Sequence, residues 1–103
     1  MSLDVTILDD QDQVIRSVGL GVDEHWELVQ FAAEASLPLL ERLHDFYSDA
    51  QIAVEELPAF LEEVQVLSSG DGLSPRLRLV LTALAHIIKC ARAEQRPLTV
   101  LAD

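Results

Sequence analysis

At 103 residues the chain fits one folded domain, and half of those residues are hydrophobic, enough for a single core without a metal or disulfide staple. Eighteen acidic side chains face seven basic ones, a net charge of −11 that argues against direct binding to nucleic-acid phosphates or anionic lipid, where Lys and Arg supply the attraction. A single cysteine, Cys90, excludes an intrachain disulfide and suits a reducing compartment. With no signal-like leader and no apolar run near the roughly 20 residues of a membrane span, the expected location is cytoplasmic.

Residues 3–8 alternate well enough for a strand, with Leu3, Val5 and Ile7 on one face and Asp4 and Thr6 on the other. A polar turn at residues 9–12 leads to a second strand over 14–20, so the pair reads as an antiparallel hairpin. Gly19 and Gly21 suggest a bulge or a sharp strand-to-helix corner. They lack the third glycine of a dinucleotide fingerprint, and Asp23 and Glu24 would repel a phosphate. Asp23 is a suitable N-cap for a helix to about residue 35, with Leu28, Val29, Ala32 and Ala35 at helical spacing.

Ser36-Leu37-Pro38 breaks that helix and opens a second, predicted over 38–47. Leu39, Leu40, Leu43, Phe46 and Tyr47 would form its apolar stripe, and Glu41, Arg42 and Asp45 its wet side. Residues 51–54 read equally as extended chain or as a helix entry. A third helix is expected over 55–67, on Leu57, Phe60, Leu61, Val64 and Leu67. The loop at 68–72 precedes Ser74-Pro75, a capping hydroxyl before a proline at the first helical position. The fourth helix, 75–94, carries the broadest apolar stripe and belongs at the centre of the fold. A short strand at 98–101 closes the pattern. The fold class is therefore α+β: a hairpin, about four helices, and a last strand completing a three-stranded sheet in the order 2-1-3, with the helices on one face.

Candidate chemistry is sparse. His86 and Cys90, four residues apart on one helix, make half a metal site or a thiol–imidazole pair, but no second pair completes the first, and the apolar stripe predicts a buried, uncharged thiol. Glu41-x-x-His44 is one half of a di-iron motif that needs two copies. The carboxylate pairs Asp9-Asp10, Glu55-Glu56 and Glu62-Glu63 fall in a turn or on wet faces, where nothing desolvates one partner for acid–base work. No motif calls for a cofactor or metal, and the expectation is a protein without enzymatic activity.

The charge is unevenly placed. Residues 1–73 hold sixteen acids against Arg16 and Arg42, a net of −14, while residues 74–103 hold five bases against Glu94 and Asp103, a net of +3. Glu41, Asp45 and Asp49 recur every four residues, Glu55 and Glu56 follow closely, and Tyr47 lies among them. A rigid aromatic ringed by carboxylates would anchor a basic protein partner, since complementary fields also speed association. The competing reading puts Tyr47 in the core and leaves these acids as ordinary wet surface.

Four segments carry a resemblance: residues 19–25 (Gly-Leu-Gly-Val-Asp-Glu-His), 43–49 (Leu-His-Asp-Phe-Tyr-Ser-Asp), Glu56-Leu57, and 98–103 (Leu-Thr-Val-Leu-Ala-Asp). Together they resemble small uncharacterised bacterial proteins, some of which are similar to the immunity proteins encoded beside polymorphic toxins. The resemblance implies a cytoplasmic inhibitor that neutralises a cognate toxin domain by stoichiometric binding, and the net charge of −11 favours a basic one. Immunity proteins share a role and no single fold, so no functional residue carries over. An acidic adaptor or secretion chaperone is the alternative, with a small enzyme using His86 and Cys90 behind it.

Overall fold

The computed structural model describes residues 3–44 and 49–102. Strands β1 (Leu3–Leu8) and β2 (Val14–Leu20) pair antiparallel, and Asp9 builds the turn between them. Its carboxylate accepts the N–H groups of Gln11 and Gln13 at 2.8 and 2.9 Å, while Asp12 takes a left-handed φ of 59°, which Asp tolerates better than most residues. The strand irregularity lies at this end, between Ile7 and Leu8, and not at Gly19, which stays in register opposite Asp4. Gly21 supplies the corner into α1 (Val22–Glu34). The helix starts one residue before the expected cap, so Asp23 and Glu24 occupy its first turn, where carboxylates complement the helix dipole.

Helix α1 ends through Ser36, left-handed at φ 56°, with the Leu37 N–H returning to the Ala32 carbonyl at 3.0 Å. The next helix is far shorter than the 38–47 that apolar spacing predicts: α2 spans Pro38–Glu41 and closes in tight turns at Leu43 and His44. Two tertiary demands end it. Buried His25 on α1 bonds the Leu43 carbonyl through Nε2, the acceptor a continuing helix would offer to residue 47. The chain must also turn back to deliver a strand. Phe46 and Tyr47, expected on the same stripe, lie outside the described residues.

That strand, β3 (Ala50–Ile52), corrects the expected three-stranded sheet to four strands in the order β2-β1-β4-β3. Strand β4 (Leu98–Ala102) inserts antiparallel between β1 and β3, so β1 and β4 are both internal. Three residues are too few for an alternation to be read from sequence, and β3 exists because β4 offers it a ladder. The Asp49 carboxylate accepts the Ala102 N–H at 2.8 Å and extends that pairing by a side chain. A 3₁₀ turn at Val54–Glu56 then feeds α3 (Leu57–Ser68).

One face of the sheet is apolar and closed. Leu3, Val5, Ile7, Leu20, Ile52, Leu98 and Val100 are all buried, and α4 (Pro75–Glu94) packs on β1, β2 and α3 through Leu77, Leu81, Leu84, Ile88 and Ala91. On the other face Thr6 is still buried at the sheet centre, where its hydroxyl donates to the Thr99 carbonyl at 2.6 Å. At the end of α4, Gln95 is left-handed (φ 56°), and Arg96 reaches back to the Leu8 carbonyl at 3.1 Å and to Asp10 at 3.2 Å, tying the hairpin turn to the helix end.

Two helices are started by carboxylates from elsewhere in the chain. Glu27 of α1 accepts the Ser74 N–H at 2.8 Å and its hydroxyl at 2.5 Å, while that same hydroxyl accepts the Leu77 N–H and caps α4. Glu63 of α3 accepts the N–H groups of Leu39 and Leu40 at 3.2 and 2.9 Å, at the start of α2. Each bond joins two elements and satisfies amide groups that the helix leaves open.

Two stability measurements check this account. Leu84→Ala, at a fully buried position in mid-α4, should lower the unfolding free energy by about 2–5 kcal/mol in urea titrations. Glu63→Ala should cost about 1–2 kcal/mol by opening the α2 terminus, while its exposed neighbour Glu62→Ala stays within about 0.5 kcal/mol.

Candidate protein-binding surface

The acidic region singled out in the sequence is thinner in three dimensions than in composition. Glu56 is engaged by Arg42 through two bonds, Nη1–Oε1 at 2.8 Å and Nη2–Oε2 at 2.5 Å, and also accepts the Ala53 N–H at 3.0 Å. Asp49 is occupied by Ala102. Glu41 closes α2, and its carbonyl accepts the His44 amide. Glu55 is exposed and lines an open hollow of about 670 Å³ opposite Lys89 and Arg92 of α4, with Val54 and Pro58 beside it. Asp45 and Tyr47 lie outside the described residues. Of the six residues, then, Glu56 is neutralised by Arg42, Asp49 extends the β3–β4 pairing, and Glu55 shares a hollow with Lys89 and Arg92.

The Arg42 pair has an electrostatic signature. The guanidinium's hydrogen bonds, followed by the Ala53 N–H, hold the Glu56 carboxyl at about 2, against an ordinary 4.5. At the hairpin turn, the Gln13 N–H and then the Gln11 N–H hold the Asp9 carboxyl below its usual value.

The exposed apolar side chains lie elsewhere. Trp26 of α1 is 66% exposed and Val22, one turn earlier, 61%. Beside Trp26, two shallow hollows adjoin. The first, of about 160 Å³, is lined by Trp26, Glu27, Gln30, Phe31 and Glu34. The second, of about 220 Å³, shares Phe31 and Glu34 and adds Ala35 with Val66, Leu67, Gly70 and Leu73. The result is a trough between α1 and the end of α3, apolar at its floor. Its walls carry two glutamates and no Lys or Arg. The stripe predicted for α1 from Leu28, Val29, Ala32 and Ala35 left Trp26 out. The available signal was a large aromatic two residues before Leu28, on the face a buried helix gives to water.

His86 and Cys90 do approach each other, with Sγ 3.7 Å from Nε2. The thiol is half-buried and not fully enclosed as the apolar stripe suggests, because α4 turns its His86–Cys90 edge outward; His86 is exposed. Neither residue lines the trough or the wide hollow. Among the described residues no group of three or more His, Cys, Asp or Glu is placed to hold a metal ion. No helix among them is long and apolar enough to cross a membrane.

No protein-family model matches the sequence, and neither a curated protein nor a solved structure shows significant similarity to it.

An acid titration checks the Arg42–Glu56 pair. Its folded carboxyl value lies below the unfolded one, so its stabilisation is complete above about pH 4.5 and fades as the pH falls toward 2. Unfolding measured across that window should fall less steeply for Glu56→Gln than for the parent chain. Equal slopes would show that the pair contributes nothing.

Proposed function

We propose that this chain is an acidic protein-binding domain that acts by occupying a basic protein partner, in the manner of an immunity protein neutralising a cognate toxin domain stoichiometrically. The observation that carries the reading is the Trp26–Phe31 trough: an exposed aromatic beside an apolar floor, with carboxylates and no cation in its walls. Tryptophan on such a surface is the residue type most enriched at the energetic centre of interfaces. The surplus of acids supplies long-range attraction to a basic surface. A standard interface takes about 800 Å² from each partner, roughly one-seventh of this chain's 5716 Å².

The same trough supports a second reading, an acidic adaptor or secretion chaperone, because an exposed apolar groove is what holding a partner's segment requires. The two differ in outcome. An inhibitor abolishes its partner's activity at one equivalent, whereas a chaperone leaves that activity intact once the partner is released.

Coexpression with the product of a neighbouring gene tests the proposal. The expected result is a one-to-one complex with a basic protein, weakened as salt rises from 0.05 to 0.5 M because exposed charge attraction is screened, together with protection of the host from that protein. Neither complex nor protection would overturn it.

A further inference from the structure

The trough has a feature that composition does not show: it is short of positive charge at a place where helix ends create a demand for it. Helix α1 finishes at Glu34 with no basic residue in its last turn; the Phe31, Ala32 and Ala33 carbonyls accept the Ala35, Leu37 and Ser36 N–H groups, and Glu34 and Ala35 form the wall of the second hollow. Helix α3 ends at Ser68 beside the same hollow, which Leu67 and the following Gly70 line, also with no basic residue in its last turn. Carbonyl ends of helices carry partial negative charge and favour cations. Arg78 meets this demand for α3, donating to the carbonyls of Ser68 and Gly70 at 3.4 and 3.3 Å. No Lys or Arg in the described chain does so for α1. Glu34 adds a full negative charge at that point, and among the described residues it is in no ion pair.

The walls also limit the form of the occupant. They are formed by α1, the last turn of α3 and the loop residues Gly70 and Leu73; the two helices bond their backbone groups internally and offer no free ladder for an added strand. A segment entering it has to satisfy its own amides, as a helix does. Side chains three or four residues apart project from one face of a helix, so one helix can address both hollows, which share Phe31 and Glu34 as their common wall.

We propose that this trough seats an amphipathic cationic helix of a partner protein, two successive apolar side chains filling the hollows and a Lys or Arg lying against Glu34 at the carbonyl end of α1. This deepens the protein-binding reading above and rests on it. The partner helix brings the cation that α1 lacks, and the rim of Trp26 and Val66 excludes water from that contact, which strengthens it.

Trp26 is the only tryptophan in the chain, so its emission reports occupancy directly. The probe is a synthetic 18-residue Leu/Lys peptide that forms an amphipathic helix, compared with a scrambled peptide of the same composition and with its Leu/Glu counterpart. The expected result is a saturable blue shift of Trp26 emission at one peptide per chain, for the amphipathic cationic peptide alone. Glu34→Lys should weaken binding at least tenfold and flatten its salt dependence. Trp26→Ala, read by calorimetry with circular dichroism to confirm folding, should weaken it at least tenfold. Equal binding of the scrambled peptide, binding without a shift in Trp26, or no binding at millimolar peptide would overturn the proposal. A cognate complex that forms with unchanged affinity in both variants would sink the helix-in-trough proposal and leave protein binding standing. Failure of any complex to form would remove the function itself.

Discussion

Helix α4 has to bury a long apolar stripe, and the rest of the fold is arranged by that requirement. Leu77, Leu81, Leu84, Ile88 and Ala91 occupy one side of a 20-residue helix, and no single neighbour is wide enough to cover them. The inner face of the sheet takes part of the stripe and α3 another part. Strand β4 follows α4 after a left-handed exit at Gln95 and pairs between β1 and β3. Hydrophobic burial of this kind has no preferred direction. Direction comes from the specific polar bonds around it: Ser74 and Glu27 at the helix start, and Arg96 to the hairpin turn at its end.

The same view changes the meaning of the acidic composition. Five carboxylates, those of Asp9, Glu27, Asp49, Glu56 and Glu63, accept backbone N–H groups in a turn, at helix starts or at a sheet edge. They are acids because a backbone amide needs an acceptor, and each would be required whatever the partner. The net charge is therefore not a measure of recognition surface. What remains available for a partner is a smaller set, of which Glu34 is distinguished by its position in the last turn of α1, which holds no basic residue, beside an exposed aromatic. A functional argument from total charge thus becomes one from local charge next to apolar surface.

Protein binding and inhibition place few demands on chemistry and many on shape. A domain whose helix ends and strand pairings are tied by side-chain bonds presents a pre-formed surface, and pre-formed surfaces lose less entropy on association. The trough is built on two helices whose ends are fixed, α1 through Ser36 and Leu37 and α3 through Arg78. Such a surface suits recognition that must be tight and one-to-one.

The amino-acid sequence alone determined the α+β class, the extent of α4, the faces of β1 and the apolar stripe of α3, because periodicity of two or of 3.6 residues over long runs is a local property. Of the predicted recognition cluster Glu41, Asp45, Tyr47, Asp49, Glu55 and Glu56, Glu56 is taken by Arg42 and Asp49 by the Ala102 N–H, while Glu55 stays exposed and Asp45 and Tyr47 lie outside the described residues. Sequence spacing cannot show that Arg42 lies across from Glu56 or that Ala102 donates to Asp49. Only the tertiary structure decided that α2 stops at Glu41, that residues 50–52 become a fourth strand, and that Trp26 stands clear of the core beside a trough. Each of these depends on groups distant in the chain: the carbonyl that His25 takes, the ladder that β4 offers, and the gap that α3 leaves beside α1. Local pattern specifies which face of an element is apolar, and only packing determines which apolar residue is left without a neighbour.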